Sequence, residues 1–175
     1  MISQGALHAT DPLAVQAEAA TATAYATLVG EASPPANNLT GQNLGGLTLA
    51  PGVYHFNTSV GLDGALLLDT TADPTGTFVF QIGTTLITSS ASTVSFVGPA
   101  DPNVFWQVGS SATLGTGTQF DGNILAMTSI TLTTGASINV GRALAISRGI
   151  DCDRNYDADR RSKTFRQGEF FYVSS

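Results

Sequence analysis

The sequence predicts a mostly β chain wound as the stacked coils of an irregular parallel β-solenoid, with one α-helix packed alongside. Three observations carry that prediction. Residues 112–120, ATLGTGTQF, echo residues 130–138, ITLTTGASI, at an offset of eighteen, so that Thr113 falls on Thr131, Leu114 on Leu132, Thr116 on Thr134 and Gly117 on Gly135. Residues 53–62, 79–88 and 105–114 align at equal steps of twenty-six. Ahead of them, Asp11 to about Val29 reads as a single helix. Thr-rich and aliphatic strands that return after a fixed step, with Gly in the same place, fit coils that stack on one another better than a hairpin.

Each element has a local reason. Asp11 can accept hydrogen bonds from first-turn N–H groups, and Pro12 at the first helical position gives up a donor that had no partner. Leu13, Ala17, Ala20, Ala24 and Leu28 recur at steps of three and four and predict a narrow apolar stripe facing a sheet. Gly30 and Pro34-Pro35 end the helix. In the strands, Phe80 with Ile82, and Trp106 with Val108, share one face, while Gln81 and Gln107 take the other. The segments 71–76, TADPTG, and 98–103, GPADPN, are turn-rich insertions at coil corners, which explains why two of the steps exceed eighteen. Residues 1–145 therefore read as one repeat body with its helix, and 146–175 as a divergent charged tail or cap that holds six of the seven basic residues.

Composition excludes several functions. Of 175 residues only 11% are charged, against about 25% in ordinary globular domains. Lys and Arg number 7 against 13 Asp and Glu, for a net charge of -6, and no basic residue precedes Arg142. Such a surface offers no footprint for nucleic acid or anionic lipid. No run approaches the roughly 20 apolar residues of a membrane helix, and MISQGALHATDP has neither the basic nor the apolar region of a signal peptide. The single Cys152 rules out a disulfide within the chain.

Catalytic patterns are weak. His8 and His55 sit in no nucleophile motif, and the zinc spacings are absent. Residues 151–159, DCDRNYDAD, space oxygen side chains as a calcium loop does, but Tyr156 replaces the turn glycine and Ser162 the closing Glu. Asp63, Asp69, Asp73, Asp101 and Asp121 mostly sit in turn contexts, and the repeat body holds no cation for lyase chemistry. The expectation is a protein without catalysis, metal or cofactor.

The repeat does offer a surface. Coils recur about every 4.7–4.9 Å and alternate side chains about every 6.6–6.8 Å, so matched Ser and Thr form a grid of hydroxyls and methyls. The β-branch fixes the Thr rotamers, so ordering lattice-like water over them loses little further entropy. A flat, uncharged grid of this kind suits ice, although Thr is also common on exposed strands for its β propensity.

Several ordered motifs carry a family resemblance: residues 5–18 GALHATDPLAVQAE, 44–54 LGGLTLAPGVY, 77–83 TFVFQIG, 103–117 NVFWQVGSSATLGTG and 123–136 NILAMTSITLTTGA, ending in Gly141-Arg-Ala-Leu-Ala145. Over about residues 5–145 the chain resembles the microbial ice-binding (antifreeze) proteins. The resemblance implies a right-handed solenoid of roughly triangular section, a long helix beside it, secretion, and adsorption to ice through one flat face bearing a Thr-Ala/Gly-x-Thr/Asn motif. On this chain the motif falls at Ser90-Ala-Ser92-Thr93, Thr116-Gly-Thr118-Gln119 and Thr134-Gly-Ala-Ser137, with Thr113 and Thr131 on the neighbouring strand. It also implies further coils ahead of the helix, which this sequence lacks, and so strand edges open to self-association. A carbohydrate-binding or adhesive solenoid module is the other reading.

Overall fold

The computed structural model describes residues 12–98, 103–146 and 149–152. Its architecture follows the register arithmetic of the sequence. Helix α1 (Pro12–Gly30) leads through a short 3-10 turn (Pro35–Asn37) into β1 (Thr48–Leu49). Four coils follow: β2 (Gly52–Phe56), β3 (Val60–Leu62), β4 (Ala65–Asp69); β5 (Thr77–Ile82), β6 (Leu86–Thr88), β7 (Thr93–Val97); β8 (Asn103–Val108), β9 (Ser111–Leu114), β10 (Gln119–Asp121); and β11 (Asn123–Ala126), β12 (Ser129–Leu132), β13 (Ser137–Val140). A fifth, partial coil holds β14 (Ala143–Ala145) and β15 (Gly149–Cys152).

Every third strand joins the same sheet. Sheet I is β14-β11-β8-β5-β2, sheet II is β15-β12-β9-β6-β3 and sheet III is β1-β4-β7-β10-β13, all paired in parallel. The twenty-six-residue step appears as Val53 opposite Val79 opposite Phe105, and the eighteen-residue step as Thr113 opposite Thr131 and Gln119 opposite Ser137. The extra residues of the longer steps leave at the corner from sheet III to sheet I, where 70–76 and 98–102 connect what Gly122 spans in the third coil. The segment before β2 forms a rudimentary coil: Leu39 N–H donates to His55 O at 2.9 Å, Leu44 N–H to Gly61 O at 2.9 Å, and β1 pairs with β4.

Past Ala145, Gly149–Cys152 extends sheet II by pairing with β12, Ser129 opposite Gly149 and Leu132 opposite Cys152. The calcium-loop pattern at 151–159 lies outside the described residues beyond Cys152, as do His8, Asp11 and Asp101.

Inward side chains fill the prism in layers. Phe56, Phe78, Phe80, Trp106 and Phe120 are fully buried, with Leu44, Leu62, Leu66, Leu68, Leu86 and Leu114 around them. Tyr54, Phe80 and Trp106 stack from coil to coil, with ring centroids 5.5 and 3.9 Å apart, and Phe120 tilts onto Trp106 at 4.8 Å.

The helix covers the outer face of sheet I, with Leu28 of the expected stripe facing it but not Ala20 or Ala24. Ala20 and Ala24 are exposed, while Thr21, Tyr25 and Leu28 turn inward. The sheet dictates the change, because its outer face carries two buried carboxamides that need polar partners. Gln107 Nε2 donates to Tyr25 Oη at 2.7 Å, and Gln81 Nε2 donates to the carbonyls of Leu28 and Glu31 at the helix end, each at 2.7 Å. Leu28 packs with Val79 and Leu125 in the remaining apolar patch.

Candidate functional site

With sheet I occupied by the helix, sheets II and III and the corner between them remain for a partner. That corner is built the same way in three coils. Residues 89–92, 115–118 and 133–136 each close a turn by a hydrogen bond from the fourth N–H to the first carbonyl, at 3.3, 3.0 and 2.9 Å. The third residue of each takes a positive φ: Ala91 at 57°, Gly117 at 69° and Gly135 at 72°. Gly fits that conformation without strain, which is why it repeats at 117 and 135. The turns also bond to each other, Ala91 N–H to Thr116 O at 2.8 Å and Gly117 N–H to Thr134 O at 3.0 Å, so Ser90, Thr116 and Thr134 form a ridge. In the first coil the corner shrinks to Asp63-Gly64, and the ridge stops there.

The expected site residues divide among four environments. Ser90 and Thr116 are exposed and Thr134 half-buried along the ridge. Thr93, Gln119 and Ser137 stand in register on sheet III, with Gln119 exposed and the other two half-buried. Thr113 and Thr131 face outward from sheet II as half-buried neighbours.

Ser92 and Thr118 correct the expectation: both are wholly buried. The left-handed residue before each turns its side chain inward, where the hydroxyls join coils. Thr118 Oγ1 meets Thr88 Oγ1 at 2.8 Å, Thr88 Oγ1 accepts from Gly115 N–H at 2.8 Å, and Ser92 Oγ donates to Leu62 O at 2.8 Å. A Thr118→Val variant, which keeps the shape and deletes the hydroxyl, is expected to lose about 1–3 kcal/mol in denaturant unfolding while leaving any activity of the outer surface unchanged. A loss of that activity at full stability would return Thr118 to the surface.

Sequence reasoning missed two further hydroxyl columns. Ser111 stands opposite Ser129 on sheet II with their Oγ atoms 2.9 Å apart, beside the column of Gly61, Ile87, Thr113 and Thr131. At the corner between sheets I and II, Ser110 N–H donates to Thr84 O at 2.7 Å and Thr128 N–H to Ser110 O at 2.8 Å, which stacks those three residues. The same twenty-six and eighteen steps relate them, so the signal was present. Sheet II pairs without a register shift, whereas sheet III bulges between Phe120 and Asp121. Sheet II is therefore the more regularly paired of the two.

The carboxylates serve their own turns. Asp69 Oδ1 accepts from the Thr71 hydroxyl at 2.6 Å and the Thr71 N–H at 2.9 Å, bonds that hold its carboxyl below the ordinary value. Asp73 Oδ1 accepts from Thr75 N–H at 3.2 Å, and Asp63 accepts from Asn43 Nδ2 at 2.5 Å and from the Ser89 hydroxyl. His55 lies beneath the helix end, with Nδ1 3.1 Å from Gln81 Oε1 and Nε2 2.9 Å from Asn57 Oδ1. Among the described residues no three His, Cys, Asp or Glu gather as a metal site.

Asp121 behaves differently. Burial pushes its carboxyl up, and only partly offsetting this is the Val140 N–H that donates to Oδ1 at 3.2 Å. A raised folded pKa means that the folded state binds the proton more tightly than the unfolded chain. The ionised form therefore weakens the fold above that pKa, and stability returns as pH falls through it. Asp121→Asn keeps an acceptor for Val140 and has no charge to desolvate. It is expected to melt above the wild type at neutral pH, with the gap closing as melts proceed down past the ordinary carboxyl value of 3.8. A gap that ignores pH would contradict the burial argument.

Comparison with known proteins agrees with this architecture. Residues 1–156 match the family model described as Ice-binding-like. The chain belongs to that family. An ice-binding protein from Nostoc sp. (strain HG1) is 55% identical over 136 residues, covering 78% of this chain and 50% of that protein. One from Flavobacterium frigoris (strain PS1) is 36% identical over 65% of this chain and 41% of its own length. The crystal structure of an ice-binding protein from the Antarctic ascomycete Antarctomyces psychrotrophicus superposes with a TM-score of 0.77 at 40% identity, over 82% of this chain and 70% of that one. The chain thus spans about half the length or less of these two curated relatives. As in the structures of this ice-binding family, a solenoid of parallel sheets with one helix is the frame, and the fold expected from the sequence is the fold found.

Proposed function

We propose that this member of the ice-binding-like family acts outside the cell, without catalysis, by adsorbing to ice and inhibiting its growth or recrystallisation. The adsorbing surface is sheet II with the ridge Ser90, Thr116 and Thr134, flanked on sheet III by Thr93, Gln119 and Ser137. One observation carries the reading: in consecutive coils Ser111 stands on Ser129, Thr113 on Thr131, and the Thr116 carbonyl accepts from the turn below it while its own turn bonds to Thr134. The hydroxyls are thus fixed on a lattice by the backbone before any water arrives. The 2.9 Å separation of the Ser111 and Ser129 oxygens is an ordinary O–H···O hydrogen-bond length, the spacing at which water molecules bond one another.

Electrostatics points the same way. The net charge of -6 offers no attraction to nucleic acid or anionic lipid, and the side chains at 85, 87, 111, 113, 129 and 131 are uncharged. Names of relatives support the reading, since the similar proteins from Nostoc and Antarctomyces psychrotrophicus are themselves called ice-binding. Strand Gly149–Cys152 extends sheet II at one end of the stack. The test is an ice-affinity and ice-shaping assay on the purified chain beside a glycan array. Partition into ice with faceted crystals supports the proposal; glycan binding without ice shaping overturns it.

A further inference from the structure

The central register column of sheet II reads Gly61, Ile87, Thr113, Thr131 and, on β15, Asp151, and two of its rungs, Gly61 and Ile87, carry no polar side chain. We infer that Ile87 limits the potency of the ice-facing surface, by leaving that column one hydroxyl short in the second coil; this rests on the ice-adsorption reading above.

The side chain of Ile87 is 53% exposed between the buried Leu86 and Thr88, so it points away from the core and onto the proposed contact plane. Ile and Thr share the β-branch that fixes the first side-chain torsion on a strand, and differ in what stands above it. Thr ends in a hydroxyl and a methyl at one level. Ile carries a further carbon beyond that level and neither donates nor accepts a hydrogen bond. A rigid flat partner rests on the highest atoms beneath it, so one raised, non-bonding side chain affects more than its own rung.

The next rung cannot repair the column. A Cβ at Gly61 would stand 3.0 Å from Asn43 Nδ2. That amide is held in place, since Nδ2 donates to Asp63 at 2.5 Å while Oδ1 accepts from Gly45 N–H at 2.7 Å and Asp63 N–H at 3.0 Å. Position 87 is therefore the place where the column can gain a hydroxyl without disturbing its neighbours.

The experiment compares wild type, Ile87→Thr and Ile87→Val at matched concentration by thermal hysteresis, with melting curves to establish that each is folded. If rungs contribute equally, Ile87→Thr raises hysteresis roughly 1.5-fold, as two matched threonines become three, and Ile87→Val, which trims the same carbon without adding a hydroxyl, falls short of it. A Thr variant no more active than wild type overturns the inference, as does a Val variant equal to it. Wild-type protein that neither shapes ice nor shows hysteresis sinks the ice reading itself, an outcome visible before any variant is compared.

Discussion

The double variant Thr116→Tyr, Thr134→Tyr is expected to lose ice activity and keep its fold. Both residues lie at the second position of their corner turns, outside the core, with backbone angles that tyrosine adopts as readily as threonine. Their stacked turns are held through main-chain groups, Gly117 N–H to Thr134 O at 3.0 Å and Ala91 N–H to Thr116 O at 2.8 Å, which the substitutions leave in place. Thr116 is exposed and Thr134 half-buried, and substitutions at the surface, away from the core, shift stability by about 0.5 kcal/mol or less. Two phenol rings on adjacent coils would nevertheless stand well above the hydroxyls of sheet II and hold a flat lattice away from them. Loss of most of the hysteresis is the expected reading. Ice recrystallisation inhibition should fall in parallel. Unchanged hysteresis in a variant with a wild-type melting curve would show that the ridge takes no part in the contact, leaving sheet II to be tested through Thr113 and Thr131.

How much of this surface was legible in the sequence depends on what the backbone does between repeats. The coils were legible because parallel pairing turns a constant step in number into a constant position in space: Val53, Val79 and Phe105 had to meet once the step was recognised. The burial of Phe80, Ile82, Trp106 and Val108 followed from strand alternation in the same way. The corner was not legible by that rule. A residue at positive φ breaks the two-residue alternation, so Ser92 and Thr118, which look like partners of Thr93 and Gln119, turn into the core instead. Helix packing was misread for a different reason. The apolar spacing that selected Ala20 and Ala24 ignored the two glutamines opposite, which pull Tyr25 and the helix end toward themselves. The columns through Ser110, Ser111, Thr128 and Ser129 obey the recognised steps, yet they lack the Thr-Gly spelling that drew attention to the ridge.

The largest stability effect is expected from Trp106→Ala, because one side chain there joins three structural functions. The indole is wholly buried, its ring lies nearly parallel to Phe80 with centroids 3.9 Å apart and planes 9° apart, and Phe120 tilts against it at 4.8 Å. Its Nε1–H also donates to the carbonyl of Asp121 at 3.1 Å, at the strand end where sheet III bulges before turning into sheet I. Truncation removes the aromatic contacts of two coils, opens a cavity and leaves the Asp121 carbonyl without that donor. Buried Trp or Phe to Ala changes cost about 3–5 kcal/mol, a fifth or more of the roughly 5–15 kcal/mol that holds a typical domain together. Each coil contacts only its neighbours, so a void in the third weakens its contacts with the second and the fourth, and these include the rungs that carry Thr113 and Thr131. Denaturant unfolding should therefore show a lower midpoint, and ice activity should fall only as the folded fraction does. Trp106→Phe separates the contributions, since it retains a stacked ring and loses the hydrogen bond; it is expected to cost less than the Ala change by more than the ~1 kcal/mol that one hydrogen bond contributes. An Ala variant that unfolds within about 1 kcal/mol of wild type would mean that the aromatic column is a consequence of coil stacking, with the backbone ladders of the three sheets holding the prism together without it.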